Sequence, residues 1–195
     1  MSPGAGVPIH VLAISGSLRR ASSNTALLGA AALLAPAGMR IELFAGLDEL
    51  PHFNPDREHE PHPALDRLRR AVAACDGLVF STPEYAHGVP GSLKNALDWL
   101  VGGDEITNKP VAVLNPSPYS TFAVASLVET LRTMSARIVD EASVVLSLRS
   151  SRLGAGEMAA KPEVAPAIGV ALAAFARAIE AYRREPSYLP PVRNE

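Results

Sequence analysis

Apolar residues fall along this chain in two rhythms. Short unbroken apolar runs end in turn residues at 9–15 (IHVLAIS), 40–44 (RIELF), 77–81 (GLVFS) and 110–114 (PVAVL), and a Val- and Ile-rich stretch spans 137–147. Runs of that length and bounding predict buried strands. Between them, helices are predicted over 24–35, 64–75, 91–101, 121–134 and about 164–183. Two show the helical spacing most plainly. In one, Leu65, Leu68, Val72 and Cys75 recur at three and four, with Arg67, Arg69 and Arg70 mostly off the stripe; in the other, Val164, Ile168, Leu172, Phe175, Ile179 and Tyr182 share a face. Strand and helix thus alternate five times. Strands that are apolar throughout, rather than at every second position, predict an α/β fold with a parallel sheet covered on both faces.

The remaining segments have neither rhythm. Residues 46–63 (GLDELPHFNPDREHEPHP) and 149–166 are expected to be loops. One domain is expected over 1–185, followed by a Pro-rich extended tail, 186–195.

Composition narrows the picture without specifying a ligand. Of the 195 residues 48% are hydrophobic, enough for a sizeable core, and the formal net charge is −2. A nucleic-acid binder would show a basic footprint, so none is expected as partner. Neither a leader-type N-terminus nor an apolar run near the ~20 residues of a bilayer span is read from the chain, and a cytoplasmic protein is expected. The single cysteine, Cys75, leaves no partner for an intramolecular disulfide and is expected to be a buried structural thiol. His52, His59 and His62 share a loop with Asp56, Glu58 and Glu60, but not at metal-ligand spacings, so no metal is expected.

In open parallel sheets a ligand lies beyond the carboxyl ends of the strands. That rule selects the loops 15–24, 82–91 and 115–120. The first, within ISGSLRRASSN, leads from a strand into a helix, where backbone N–H groups and the helix dipole favour an anion. Ser22, Ser23 or Asn24 would be the helix N-cap. Ser15, Ser17, Ser22 and Ser23 add hydroxyl donors, and Arg19 or Arg20 a charged one. Neither G-x-G-x-x-G nor the P-loop pattern is present. Those glycines bring backbone close to a pyrophosphate or triphosphate; hydroxyls and an arginine suit one terminal phosphomonoester.

Two motifs then carry a resemblance. Gly16-Ser17-x-Arg19-x-x-Ser22-x-Asn24, together with PEYAHGVPGSLKNALDW at 83–99, resembles the NADPH-dependent FMN reductase family, which includes quinone, chromate and azo-dye reductases. The resemblance implies a flavodoxin-like three-layer sandwich with five parallel strands in the order 2-1-3-4-5. It implies FMN as cofactor, its phosphate on Ser15, Ser17, Arg19, Ser22, Asn24 and Thr25, and its ring and ribityl chain along Pro83, Glu84, Tyr85, Ala86 and His87. Asn115 and Ser117 would contact the flavin from across the crevice, and His87 and Tyr119 would line the substrate pocket. It implies NADPH or NADH as hydride donor, a small-molecule acceptor (a quinone, azo compound, metal oxyanion or free flavin) and a ping-pong cycle at the flavin, with no catalytic side chain. A homodimer or homotetramer is implied too, with the helix bearing Lys94, Asn95 and Trp99 in the interface.

The chain departs from the family pattern at three places. Ala86 stands where the motif has asparagine, Gly88 where it has serine, and NPSPYS replaces a glycine-rich third loop. Pro116 and Pro118 supply no N–H. Two other readings stay open: an electron carrier of flavodoxin type, for which −2 is a weak charge, and a flavin-free binding module.

Overall fold

The computed structural model describes residues 7–148, 153–186, 188 and 190–192. The parts of the expected 149–166 loop and C-terminal tail that fall at 149–152, 187, 189 and 193–195 lie outside the described residues.

The apolar runs form a parallel sheet. Strands β1 (Ile9–Ser15), β2 (Met39–Leu43), β3 (Gly77–Ser81) and β4 (Pro110–Asn115) are followed by two short strands, β5 (Arg137–Ile138) and β6 (Val144–Val145). The order is β2-β1-β3-β4-β5, with β6 also paired to β4, so β5 and β6 together occupy the fifth position. This is the 2-1-3-4-5 order expected. The stretch 137–147 is not the single strand its composition suggests. A 3-10 turn at Asp140–Ala142 interrupts it. Ser143 repairs the ladder there: its hydroxyl accepts the Val113 N–H at 3.1 Å and donates to the Val139 carbonyl at 3.1 Å.

Helices cover both faces of the sheet. On one face α1 (Ser23–Leu33) and α6 (Val164–Tyr182) bury Leu27, Leu28, Ile168, Leu172, Phe175 and Ile179 against Val11, Ala13, Val79 and Ala112. On the other, α2 (Pro63–Ala74), α3 (Gly91–Val101) and α4 (Thr121–Thr133) bury Leu68, Leu97, Trp99 and Leu127 against Leu12, Ile14, Phe80 and Val113. β3 and β4 are buried along their whole length, as unbroken apolar runs require.

Three sequence expectations are corrected. First, part of the expected 149–166 loop is a short helix, α5 (Ala155–Ala159), whose amino end is held by Glu157 accepting the Gly154 N–H at 2.8 Å. It packs on α1 where only a glycine fits: a Cβ at Gly29 would sit 2.7 Å from that of Ala155. Second, the 46–63 loop is not wholly superficial. Leu47 and Leu50 are buried, and the Pro51 carbonyl accepts from both Asn95 Nδ2 (2.9 Å) and Trp99 Nε1 (2.8 Å). Trp99 is therefore a core residue, 1% exposed, with Phe53 edge-on to its ring. Third, α6 spans 19 residues at a mean hydropathy of 1.6, long and apolar enough on those terms to cross a bilayer, where no such run was expected. Its apolar stripe faces the sheet, and the helix carries Arg177 and Glu180.

Candidate functional site

Parallel pairing aligns the carboxyl ends of the strands. Ser15 stands beside Ser81 in the β1–β3 register, and Phe80 beside Val113 in β3–β4. The first, second and third loops therefore leave the sheet side by side.

The first loop is organised by its own hydroxyls. Ser15 Oγ lies 2.8 Å from Thr25 Oγ1 and accepts the Ser17 N–H at 3.2 Å. Ser17 Oγ accepts the Arg19 N–H at 3.4 Å, and Ser22, the N-cap of α1, accepts the Thr25 N–H at 3.4 Å. Ser17 and Ser22 are both nearly buried. A hydroxyl that accepts a backbone N–H keeps its own proton to donate, so both offer an oriented O–H at the amino end of α1. Arg19 and Arg20 are exposed, and neither guanidinium has a hydrogen-bond or ion-pair partner among the described residues. Two oriented hydroxyls, a helix amino terminus and free guanidinium groups form the donor set that a phosphomonoester accepts from.

Asn24 is placed differently from its neighbours. It is buried, and its Oδ1 accepts the Ser81 hydroxyl at 2.9 Å. It ties the first turn of α1 to the end of β3. Gly16 is required for a related reason: a Cβ there would meet Thr82 Oγ1 at 2.7 Å and Leu93 Cδ2 at 3.0 Å. The glycine lets the first loop press against the second. Between the two lies a pocket of about 390 Å³ lined by Gly16, Leu18, Arg19, Tyr85, Gly91 and Ser92.

The second loop turns on Tyr85-Ala86-His87-Gly88. Tyr85 and Gly88 exchange backbone hydrogen bonds at 3.2 and 3.0 Å, and both central residues are left-handed, Ala86 at φ 50° and His87 at φ 58°. That is a type I′ turn, which favours Asn and Gly at its centre. The asparagine of the resemblance falls on the first central position, and alanine there sits in backbone that L residues other than Asn and Gly avoid.

Two contacts join this loop to the start of α4, just past the third. Glu84 Oε2 accepts the Ala123 N–H in the first turn of α4 at 2.9 Å. The His87 ring stacks on Phe122 with centroids 4.4 Å apart and planes 15° from parallel. The third loop is closed on itself: Asn115 Oδ1 accepts the Ser117 N–H at 3.0 Å, Ser117 Oγ accepts the Tyr119 N–H at 3.3 Å, and the Ser120 N–H goes to the Ser117 carbonyl at 3.4 Å. With Pro116 and Pro118 this leaves 116–120 without an uncommitted N–H, unlike a glycine-rich loop. Tyr119 is 86% exposed.

Sequence reasoning missed Ser81 and Thr82, which brace the first loop, and Phe122, which holds His87. Ser81 and Thr82 carried a signal, as polar residues ending an apolar strand; Phe122 carried none, because only packing brings it to His87. Away from this end, burial pushes the Cys75 thiol up to about 11, and its Sγ lies 3.2 Å from the Val72 carbonyl, so it is a packed, un-ionised group. His62 lies against Trp99 with centroids 5.4 Å apart, and no group of three or more His, Cys, Asp or Glu among the described residues is placed to hold a metal.

Comparison with known proteins agrees with this geometry. Residues 9–150 match the profile of the NADPH-dependent FMN reductase family. The chain is 45% identical over 112 residues to an NAD(P)H-dependent FMN reductase of Pseudomonas aeruginosa (56% of this chain, 60% of the relative). It is 34% identical over 113 residues to a quinone reductase of Escherichia coli, again over 56% of this chain and 60% of the relative. The match thus spans about three-fifths of the length of these curated relatives. Among solved structures, the FerB flavoenzyme NAD(P)H:(acceptor) oxidoreductase of Paracoccus denitrificans is similar at a TM-score of 0.71 and 27% identity, over 89% of this chain and 98% of that one. The two motif-bearing loops lie inside the matched stretch, at the carboxyl edge of a 2-1-3-4-5 sheet, and the chain belongs to the NADPH-dependent FMN reductase family.

Proposed function

We propose that this protein is an FMN-dependent NAD(P)H oxidoreductase that reduces a small-molecule acceptor. The observation that carries the reading is the first loop: Ser17 and Ser22 with O–H protons to give, beside α1 and the unpaired Arg19. This set fits one dianionic phosphomonoester, with Ser15 and Thr25 fixing its depth and Asn24 holding the helix that points at it. Pro83 to His87 would lie along the ring and ribityl chain, with Asn115 and Ser117 across the crevice.

FMN held by the first loop and along Pro83 to His87 would supply the redox chemistry, carrying a hydride equivalent from NAD(P)H to the second substrate in separate half-reactions. The chain itself binds, orients and leaves one face open. It offers no backbone donor from 116–120 to charge on the reduced ring, so such donors come from the second loop or the first turn of α4. Assembly as a homodimer or homotetramer accompanies the reading, on the resemblance alone.

Purification followed by FMN addition and desalting tests it. A yellow protein whose flavin bleaches with NADPH or NADH and recovers colour with a quinone is expected. A protein that stays colourless leaves the flavin-free module; one that holds flavin but is not reduced by either nicotinamide leaves the carrier.

A further inference from the structure

Asn24 uses one end of its amide and leaves the other open. Its Oδ1 takes the Ser81 hydroxyl proton at 2.9 Å, and its Nδ2 has no partner among the described residues. Ser81 fixes that choice. It is 0% exposed and Asn24 is the partner of its hydroxyl, so with the amide turned over the hydroxyl proton would be buried without an acceptor. The Nδ2 itself is not enclosed. Among the described residues, the side-chain nitrogens and oxygens buried without a partner are Arg69 Nε and Glu105 Oε2. Asn24 is 8% exposed as a whole, and its unpartnered amide nitrogen therefore reaches solvent at the first turn of α1.

Ser17 and Ser22 are in the same condition. Each Oγ accepts a backbone N–H, from Arg19 and from Thr25, and keeps its own proton to give. Three side chains at the amino end of α1 thus present hydrogen, two as O–H and one as N–H2, and residues 14–35 hold no carboxylate. A phosphate ester with two negative charges accepts from all three. One that carries a proton has a lone pair fewer and meets no side-chain carbonyl oxygen to take that proton. A turned-over Asn24 would supply such an oxygen.

Resting on the functional reading above, we propose that Ser81 is a positioning residue for the phosphate. By taking Asn24 Oδ1 it turns the amide N–H2 toward the ligand, so that the turn selects a phosphomonoester in its dianionic form. The second ionisation of such an ester falls near pH 6.

Other groups can titrate or bear charge near this end of the sheet. They are Arg19 and Arg20 in the first loop, Glu84 on the Ala123 N–H, His87 on the Phe122 ring, the Tyr85 and Tyr119 phenols, and Lys94 paired with Asp98; α1 and β3 carry none. Riboflavin, which has the ring and lacks the phosphate, separates their effects from that of the ester.

The test measures dissociation constants of FMN and riboflavin for the full-length, flavin-free protein by fluorescence, from pH 5 to pH 7.5. In wild type the preference for FMN over riboflavin should fall about tenfold between pH 7 and pH 5, following the dianionic fraction. Ser81→Ala should weaken FMN binding about tenfold at pH 7.5, the lower end for a lost hydrogen bond to a charged group. It should also soften the fall toward pH 5 to about threefold, because the freed amide can turn over and accept from the protonated ester. Ser81→Thr, which keeps the hydroxyl, should restore both the affinity and the slope to within about threefold. Asn24→Asp puts a carboxylate against the phosphate and should weaken FMN binding by at least about a hundredfold while leaving riboflavin within about threefold. An Asn24→Asp protein that binds FMN as wild type does would overturn the proposal, since the amide nitrogen would then face elsewhere. So would a Ser81→Ala protein that weakens FMN and riboflavin alike, or that keeps the wild-type pH slope, either of which gives Ser81 a merely structural role. A Ser81→Thr protein no better than alanine would also overturn it. Wild type is read first: binding of neither flavin removes the functional reading, whereas equal binding of both keeps a flavin site and overturns only the placing of the phosphate in this turn.

Discussion

Glu84 and Ala123 lie thirty-nine residues apart and are joined by one hydrogen bond, carboxylate oxygen to backbone N–H, at 2.9 Å. Ser120, the residue in the N-cap position of α4, makes no side-chain capping bond. Glu84 therefore caps α4 from another loop, and in doing so fixes the distance between the second and third loops.

Glu84→Ala should destabilise the protein by about 1 kcal/mol, the worth of a lost N-cap. It should also lower FMN affinity, since the two loops lose their tie. Urea unfolding and a flavin-fluorescence titration measure the two effects. Glu84→Gln, which keeps an accepting oxygen, should recover most of both; a glutamine variant as weak as alanine would show that charge rather than the bond matters.

Arg19→Ala should weaken FMN binding by roughly 1.5–3 kcal/mol, the scale of a hydrogen bond to a charged group. The loss should shrink as salt is raised, because an exposed cation acts through a screened field. Riboflavin, which has no phosphate, should bind wild type and variant alike. An Arg19→Ala protein with unchanged FMN affinity would place the phosphate elsewhere.

Ala86 is strained in a way the family residue would relieve. A left-handed L residue costs about 1–2 kcal/mol, against which glycine pays about 0.5–1 kcal/mol in chain entropy. Ala86→Gly should thus raise stability by about 0.5–1 kcal/mol, and Ala86→Asn should raise it also. Ala86→Val, branched at Cβ, should lower it. Thermal or urea midpoints decide; a valine variant as stable as wild type would refute the left-handed turn.

Cys75 gives a pH signature. Its thiol titrates at about 11 in the folded chain, raised by burial, against 9.0 for a free thiol. Between pH 9 and 11 the unfolded chain gives up this proton and the folded chain keeps it, so unfolding becomes progressively easier as pH rises through that window. The full loss is about 2–3 kcal/mol, from a two-unit shift at 1.36 kcal/mol each. Cys75→Val should show a shallower fall in urea midpoint over pH 9–11 than wild type. Equal slopes would mean the thiol is solvated.

Much of the architecture was legible because β1, β3 and β4 are short apolar runs and α2 and α6 carry stripes at helical spacing. β1 and β3 fall at the expected residues, and so does α3. The misses share a cause. α5 is five residues long, too short for a stripe to declare itself, though Glu157 three places after Gly154 was a readable capping signal. The interruption between β5 and β6 leaves the local composition Val-rich, because Ser143 supplies the missing ladder bonds through its side chain.

At the site, the chain's local chemistry determined which loops hold the donors: hydroxyls and arginines in one strand-to-helix turn, a Pro-Glu-Tyr turn in another. These are properties of neighbouring residues, and a sequence displays them. Only the tertiary structure decided how those loops meet. Gly16 answers to Thr82 and Leu93, Asn24 to Ser81, Glu84 to Ala123, and His87 to Phe122. Each such pair joins residues of different loops and elements, brought together by strand order in a parallel sheet, a distance that no local pattern records.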